Sequence, residues 1–366
     1  MIADLSKQVL SWYLAARRDL PWRRTRDPYA VWLSETMLQQ TRVETVIPYY
    51  ERFLRELPDV GSLAEATEDR VLSLWSGLGY YRRARMLHAA AMQVVAEHGG
   101  RVPAEPSQLE RLPGVGAYTA GAVASIAFGG RAALVDGNVA RVLARIFGVE
   151  DDVKSAAGSA RIWSLARQLV AEVDGDPGDW NQALMELGAT VCVPGVPRCD
   201  TCPAAPYCRA RADGTAAVLP RSAPKTKPVA VRRVALVLAS ASPGAVVLAR
   251  RRRDILFGGL WEPPLAAGTD VAPLAALLGV DARRLSPAGS LVHVLSHRRM
   301  QVEVLSGPLG RKRTWPLPGA DYDAVEVVSL DALAERAHST LARKILATTG
   351  LLTLAKAPRR GLRSSR

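Results

Sequence analysis

The sequence predicts a protein of more than one domain, in which an all-α region precedes a small α+β domain. Residues 1–190 show helical periodicity throughout and almost no strand-like alternation. Residues 211–233 are rich in Pro, Ala, Lys and Arg, which is typical of an interdomain linker. Runs of β-branched residues separated by turns follow that linker. With 366 residues, the chain is long enough to bury two or three cores.

The individual elements follow from breaks in these patterns. In the first region, "RELPDVGS", "EHGGRVPAEPS" and "DGDPGDW" interrupt the helical periodicity. Beyond the linker, "VALVLAS" and "GAVVLARR" flank a turn at "ASPG", and "SLVHVLSH" and "MQVEVLSG" form a second strand pair. We expect a helix around 271–279 and another around 339–352, which complete the α+β domain.

The charge is distributed unevenly along the chain. The net charge is +13, but residues 1–220 contain 24 basic and 25 acidic residues, whereas residues 221–366 contain 24 and 10. The basic part includes four consecutive arginines at 250–253 and a tail with Lys356, Arg359, Arg360, Arg363 and Arg366. Such a surface favours a polyanionic partner, above all nucleic acid, although a basic surface that serves only solubility is the alternative.

The sequence gives no sign of a membrane or secreted protein. No stretch approaches the roughly 20 apolar residues of a membrane span. The start, "MIADLSKQVL", lacks a basic segment followed by an apolar run. We therefore expect a cytoplasmic protein without a membrane partner.

The four cysteines form one cluster. Cys192, Cys199, Cys202 and Cys208 follow the pattern C-x6-C-x2-C-x5-C. Disulfides are improbable in a cytosolic protein, so four thiolates at this spacing predict a metal centre. Zinc and a 4Fe–4S cluster both accept four thiolates, and the spacing alone does not decide between them.

A glycine-containing turn joins two predicted helices. "PSQLERL" and "YTAGAVASIAF" both have helical character, and Gly114 and Gly116 lie between them in "LPGVG". A turn of this kind presents bare backbone N–H groups at a helix N-terminus, which is an anion site. An ordinary helical turn is the alternative. A dinucleotide fold is disfavoured because no strand precedes the glycines.

These motifs together resemble a known family. "LPGVG" followed by a helix, then "LVDGNVARVLARIFGV" and the cysteine loop, resembles the helix-hairpin-helix DNA glycosylases of the endonuclease III superfamily. "LPWR", "YAVWLSETMLQQT" and "LWSGLGYYRRARMLH" narrow the resemblance to the adenine DNA glycosylases, the MutY family. The resemblance implies a six-helix barrel beside a second helical cluster, a 4Fe–4S site at the cysteines and duplex DNA as partner.

The resemblance suggests a chemical role for two carboxylates, Glu35 and Asp136. Taken alone, Glu35 fits a solvated helix face and Asp136 fits an N-cap. Breaking an N-glycosidic bond, however, needs an acid for the departing base and a negative group for the cationic sugar. Near Trp22, Trp32 and Leu38, Glu35 can have a raised pKa and act as the acid at N7 of adenine. Asp136, ionised, then either stabilises the oxocarbenium ion or forms a brief covalent adduct.

The resemblance assigns further site residues. It places the general acid at Glu35, the stabilising carboxylate at Asp136, and supporting catalytic residues at Tyr118 and Asn138. Gln40 matches a glutamine that fills the gap left by a flipped base, and Tyr80 matches an aromatic wedge, with a core aromatic as its ordinary alternative. The remaining matches line or support the adenine pocket: Arg18, Leu20, Trp22, Arg23, Leu38 and Glu186.

The rear domain resembles Nudix hydrolases, and in the family it reads 8-oxoguanine. The stretch "FGGLWEPPLAAGTD" keeps the glycine-tryptophan lead-in but lacks the glutamate cluster that holds Mg²⁺. We therefore expect recognition without hydrolysis. Leu295, Ser296 and His297 lie between two predicted strands, where the family usually has Phe-Ser-His. Ser296 and His297 can hydrogen-bond to the lesion, although a surface turn is the ordinary alternative.

The resulting expectation is a monomeric, monofunctional glycosylase that excises adenine opposite 8-oxoguanine or guanine. A bifunctional pyrimidine-damage glycosylase with lyase activity is the enzyme alternative, but it needs a lysine where this chain has Tyr118. A DNA-binding or redox iron–sulfur protein without catalysis is a further alternative. The expected boundaries are a catalytic region 1–212 (barrel 22–132; cluster domain 1–21 with 133–212), a linker 213–229, a Nudix-like domain 230–354 and a basic tail 355–366.

Overall fold

The computed structural model describes residues 2–221, 228–241, 244–309, 317 and 321–352. Contacts between Cα atoms divide the chain into two compact units. The first comprises Met1–Ala66 and Arg82–Lys225, and the second comprises Thr67–Tyr81 and Thr226–Arg366. No helix among the described residues is long and apolar enough to span a bilayer. The predicted basic tail 355–366 lies outside the described residues.

The first unit is helical, as the sequence predicted. Carboxylate side chains cap several helices, because an N-terminal turn leaves its N–H groups without partners; Asp27 accepts from the Ala30 N–H and Asp176 from the Asp179 N–H. The helices are α1 (Ile2–Ala16), α2 (Pro28–Leu38), α3 (Val43–Glu56), α4 (Val60–Glu65), α6 (Arg82–His98), α7 (Pro106–Leu109), α8 (Ala117–Ile126), α9 (Gly137–Phe147), α10 (Ala156–Glu172), α11 (Pro177–Thr190) and α12 (Arg209–Ala212).

Small residues allow the central helices to approach closely. A Cβ atom at Gly121 of α8 would lie 1.9 Å from the Ala133 carbonyl oxygen. A Cβ atom at Gly188 of α11 would lie 2.6 Å from the Asn138 Cβ atom. Because only glycine fits at both positions, α8 lies close to the segment that precedes α9, and α11 lies close to α9 itself. This packing brings the N-terminal end of α9 against α11, where the candidate site lies.

The second unit contains a mixed sheet with helices on both faces. Its strands lie in the order β3-β2-β1-β6-β5, with β4 paired to β1 and β7 paired to β2, and β1 and β6 run parallel. The elements are α5 (Glu68–Leu74), β1 (Val229–Ala241), β2 (Gly244–Arg251), β3 (Trp261–Glu262), β4 (Leu265–Ala267), α13 (Ala272–Leu277), β5 (Ser286–Val294), β6 (Arg298–Pro308), β7 (Tyr322–Ser329) and α14 (Thr340–Thr348).

The alternation of β1 gives the sheet two apolar faces. Ala235 and Val237 belong to the core that includes Leu341 of α14, whereas Leu236 packs with Leu274 of α13. Successive residues of a strand point to opposite faces, so one strand contributes to both cores. The two predicted strand pairs and the two predicted helices are confirmed. Ser242 and Pro243, in the predicted turn of the first pair, lie outside the described residues.

Residues 67–81 contact the rear part of the chain within the second unit. Ser76 Oγ and Tyr81 Oη donate hydrogen bonds to the His338 carbonyl oxygen at 3.0 and 2.6 Å. Glu68 Oε1 lies 3.3 Å from Arg253 Nε. The finer boundaries expected from the sequence stay a prediction.

Candidate active site

A cavity of about 440 Å³ lies within the helical unit. Residues from α2, α8, α9 and α11 and from the chain before α2 line it. Eleven residues singled out in the sequence meet there: Arg18, Leu20, Trp22, Arg23, Glu35, Leu38, Gln40, Tyr118, Asp136, Asn138 and Glu186. The fold therefore brings together residues that are far apart in sequence; Arg18 and Glu186, for example, are separated by 168 positions and are hydrogen-bonded to each other.

Glu35 is a buried carboxyl group with one hydroxyl partner. Helix α2 is buried from Tyr29 to Met37, and Glu35 is 4% exposed. Tyr118 Oη donates a hydrogen bond to Glu35 Oε2. Burial raises the pKa of Glu35 to about 7, against the opposing effect of the Tyr118 hydrogen bond and with a smaller contribution from the Asp136 charge. The raised pKa expected from the sequence is confirmed.

Asp136 both caps α9 and faces the cavity. Its Oδ1 accepts from the Val139 N–H at 2.7 Å, and its Oδ2 accepts from Asn138 Nδ2 at 2.9 Å. Burial raises the pKa of Asp136 above its ordinary value, while these hydrogen bonds lower it because they favour the carboxylate. The N-cap interpretation is therefore correct but incomplete, since the same carboxylate also lines the cavity.

Arg141 orients the Asn138 side chain through a hydrogen bond to its amide oxygen. Its Nη2 donates to Asn138 Oδ1 and to the Gly188 carbonyl oxygen, both at 2.8 Å. Its Nε donates to the Cys192 carbonyl oxygen at 2.8 Å. The Asn138 amide is thereby oriented with its nitrogen toward Asp136.

Glu186 forms ion pairs with two arginines, Arg18 and Arg23. Arg18 donates through Nε and Nη2 to the two Glu186 oxygens, each at 2.8 Å, and Arg23 Nη2 donates at 2.7 Å. Burial alone would raise the pKa of Glu186, but the hydrogen bonds and charges of Arg18 and Arg23 lower it to about 2. Glu186 is therefore ionised, and it fixes both arginines at the cavity wall.

The two residues proposed to enter DNA have left-handed backbones. Gln40 is exposed at the cavity and has a φ of 57°. Tyr80, in the second unit, has a φ of 49° and is 48% exposed. Non-glycine residues seldom adopt this conformation, and such strain is concentrated at functional sites.

Ser296 and His297 lie at the connection between β5 and β6, as predicted. The Leu295 N–H donates to the Arg298 carbonyl oxygen at 2.8 Å and closes this hairpin. Within the same unit, Tyr80 Oη and Ser296 Oγ are 3.5 Å apart. Ser296 and His297 are both exposed. The structure thus brings Tyr80 and Ser296 together in the second unit.

The glycines of the helical hairpin differ in their surroundings. Gly114 has a φ of 76°, and a Cβ atom there would lie 2.4 Å from the Met86 Cβ atom. Gly116 is the N-cap of α8, and a Cβ atom there would meet no atom within 4 Å. Gly114 is required for packing, whereas the backbone at Gly116 is accessible.

The four cysteines line a second, smaller cavity of about 20 Å³. Arg145 Nη1 donates to Cys192 Sγ at 3.3 Å. Among the described residues, no three His, Cys, Asp or Glu side chains are arranged to hold one metal ion. The four thiols border one shared space.

Some cavity residues were not predicted from the sequence. Gln182 and Ala189 lie four residues before and three after Glu186 on α11, so helical spacing could have placed them on its face. Met185 Sδ accepts from Tyr118 Oη at 3.5 Å. Gln39 reaches Thr119 Oγ1 at 3.2 Å. The remaining unpredicted lining residues are Thr41, Val43 and Gly137.

The fold and the paired carboxyl groups define the class of protein. Residues 33–168 match the HhH-GPD superfamily of base excision DNA repair proteins, and residues 234–348 match the NUDIX domain. A solved thermostable thymine-DNA glycosylase is 32% identical with a TM-score of 0.52, covering 57% of this chain and 95% of that chain.

Curated relatives identify the family within that class. The adenine DNA glycosylase of Rattus norvegicus is 39% identical over an alignment 386 positions long, which covers 88% of this chain and 74% of the rat protein. That of Homo sapiens is 52% identical over 212 residues, which cover 56% of this chain and 38% of the human protein. This chain belongs to the adenine DNA glycosylase family.

The raised pKa of Glu35 predicts a pH-dependent stability. Between its ordinary value of 4.5 and about 7, folded Glu35 keeps a proton that the unfolded chain has lost, so stability falls as pH rises through this window. Relative to Glu35→Gln, the wild type should lose about 3 kcal/mol of unfolding free energy across that window. Denaturant unfolding of both proteins at each pH measures this. Parallel stability curves would contradict the burial of a titrating carboxyl group.

Proposed function

We propose that the protein is a monofunctional DNA glycosylase that removes adenine mispaired with 8-oxoguanine or guanine. The observation that carries this proposal is the cavity shared by Glu35, Tyr118 and Asp136. A flipped base would enter this cavity, since a glycosidic bond inside a duplex is otherwise inaccessible. The reaction belongs to base excision repair.

Glu35 acts as the general acid. Its pKa of about 7 leaves a substantial protonated fraction near neutral pH, which a carboxyl group with an ordinary pKa would not have. The proton is delivered to N7 of adenine, and the base then departs without full negative charge. Tyr118 orients the carboxyl group through its hydrogen bond.

Asp136 compensates the positive charge that develops on the sugar. The Val139 N–H and Asn138 Nδ2 hold its carboxylate in a fixed orientation before the reaction begins. Both electrostatic stabilisation and a short-lived covalent bond to the anomeric carbon are compatible with this position.

The absence of a lyase step follows from the residue at position 118. A Schiff base requires an amine, and a phenol cannot form one. Among the described residues that line the cavity there is no lysine. The bifunctional alternative therefore lacks its nucleophile at this place.

The surrounding residues bind and flip the substrate. Gln40 fills the gap in the duplex, and Tyr80 wedges beside the lesion. Trp22, Leu20 and Leu38 provide apolar contacts to the base, while Arg18, Arg23 and Glu186 hold the pocket wall. The backbone at Gly116, with Gly114 shaping the turn, binds a DNA phosphate.

Cys192, Cys199, Cys202 and Cys208 hold a 4Fe–4S cluster. All four thiols border one space, and four thiolates can hold either zinc or a 4Fe–4S cluster. The resemblance to the adenine DNA glycosylases favours the cluster. The bound cluster supplies cross-links within the loop that follows α11. Iron and sulfide analysis of the purified protein distinguishes the two metals.

The Nudix-like domain recognises the lesion and does not hydrolyse nucleotides. Glu262, the carboxylate of its lead-in sequence, is 1% exposed and accepts hydrogen bonds from Arg251 and Tyr322. Glu262 Oε1 accepts both of these hydrogen bonds and is therefore paired with side chains of the domain itself. Ser296 and His297 instead present exposed polar groups to 8-oxoguanine. The protein would act as a cytoplasmic monomer on duplex DNA.

Substitution of Asp136 tests the chemical assignment. Asp136→Asn should still bind mispaired duplex but excise adenine about 10³-fold more slowly, because an amide does not offset a cationic sugar. Single-turnover assays on adenine opposite 8-oxoguanine, guanine, cytosine or thymine measure the rate and the specificity of excision. Samples treated with hot alkali report excision, and untreated samples report strand cleavage by the protein itself. Near-normal excision by the variant would overturn the role of Asp136, and strand cleavage without alkali would overturn the monofunctional assignment.

A double substitution tests lesion reading. Ser296→Ala with His297→Ala should reduce the preference for adenine opposite 8-oxoguanine over adenine opposite guanine by roughly 1–3 kcal/mol, as expected for one or two lost hydrogen bonds. The ratio of excision efficiencies on the two mispairs, at matched salt, reports this. An unchanged ratio would show that the β5–β6 connection does not read the lesion.

A further inference from the structure

The turn that follows α2 holds Gln40 in an unfavourable backbone conformation. The φ of Gln40 is 57°, a left-handed value that L-residues other than glycine seldom adopt. Helix α2 ends at Leu38, and its last carbonyl groups have no partner within the helix. Other groups must therefore stabilise this turn.

Arg83 of α6 supplies most of the observed contacts. Its Nη1 lies 2.7, 2.8 and 2.6 Å from the carbonyl oxygens of Thr36, Met37 and Gln39. Its Nη2 donates to Thr41 Oγ1 at 3.1 Å. One guanidinium thus bonds to residues on both sides of Gln40.

The Arg83 guanidinium is chemically suited to restrain the turn that contains Gln40. A cation at a helix C-terminus interacts favourably with the exposed carbonyl groups and the helix dipole. The planar guanidinium addresses several acceptors at once, which the single ammonium of lysine does not do with the same geometry. The half-buried position of Arg83 strengthens these bonds relative to exposed ones.

We propose that Arg83 is a positioning residue that holds Gln40 ready to enter the space vacated by the flipped base. Arg83 does not line the cavity, so its effect on the reaction passes through the turn 39–41. This inference rests on the proposed base-flipping function and adds a residue to it. It does not make Arg83 a contact of the substrate.

A purely structural role for Arg83 is the competing explanation. Thr36 directly follows Glu35, so loss of Arg83 could instead disturb α2 and the general acid. In that case the variant would change the pH dependence of excision, and its effect would not depend on the Gln40 side chain. These two readouts separate the explanations.

Arg131 provides a matched control. Its Nη1 donates to the carbonyl oxygens of Val170, Ala171 and Val173 at 3.1, 3.0 and 3.0 Å. It therefore caps the C-terminal end of α10 as Arg83 caps α2, in the same unit. Arg131 contacts neither the cavity nor the turn 39–41 in these bonds.

The experiment combines a base-extrusion probe with a double-mutant cycle. Duplex containing 2-aminopurine opposite 8-oxoguanine is mixed with wild type, Arg83→Lys, Gln40→Ala, the double variant or Arg131→Lys. The fluorescence rise on unstacking is read before excision, and single-turnover excision of adenine is measured across pH in parallel. Denaturant unfolding records the stability of each protein.

Arg83→Lys should reduce both base extrusion and excision by about tenfold in the wild-type background, with an unchanged pH midpoint. In the Gln40→Ala background, Arg83→Lys should change base extrusion and excision by less than about twofold. Arg131→Lys should lower stability without changing extrusion.

Equal effects of Arg83→Lys in both backgrounds, a shifted pH midpoint, or wild-type extrusion by Arg83→Lys would overturn the positioning role. Failure of the wild type to excise adenine opposite 8-oxoguanine would instead overturn the proposed function itself.

Discussion

A single carboxyl group, Glu35, is kept away from water by the packing of the helical unit. Charging a carboxyl group in such surroundings is costly, so burial favours its protonated form. Tyr118 provides a hydroxyl partner, but no cation is hydrogen-bonded to Glu35 among the described residues. The small residues of α8 and the buried stretch of α2 from Tyr29 to Met37 create this environment. The raised pKa of Glu35 therefore derives mainly from burial, and the charge of Asp136 contributes less.

The cavity contains three carboxyl groups in three different environments. Glu35 has a hydroxyl partner, Asp136 accepts from a helix N-terminus and an amide, and Glu186 accepts from two guanidinium groups. Burial and hydrogen-bond partners together set the pKa of each carboxyl group: burial dominates at Glu35, whereas the two guanidinium groups dominate at Glu186. Different protonation states within one pocket allow an acid and a charged stabiliser to operate together.

The sequence predicted the carboxyl pair and the cysteine cluster because they stand in continuous motifs. It also predicted both strand pairs, since alternation is visible within each strand. The parallel pairing of β1 with β6 is a contact between distant segments, and no local pattern indicates it. The left-handed backbones of Gln40 and Tyr80 were not predicted, because neither residue type favours that conformation locally. The role of Arg141 depends on three elements meeting, which a linear pattern does not reveal.

The grouping of residues 67–81 with the rear part of the chain was also beyond the sequence. Helix α5 has ordinary helical character, and its local pattern does not indicate which core it joins. The contacts of Ser76 and Tyr81 are made to the backbone of His338, so the side chain type at that position carries no signal. Such backbone-mediated contacts become visible only in three dimensions.

The pH dependence of single-turnover excision tests most directly whether a buried, protonated Glu35 drives the reaction. The substrate is duplex DNA with adenine opposite 8-oxoguanine, and the rate is measured between about pH 5.5 and about pH 8.5 at saturating enzyme. The rate should fall as pH rises through about 7, where Glu35 loses its proton, and Glu35→Gln should abolish this transition. A wild-type rate that is constant or increases across this range would contradict this expectation.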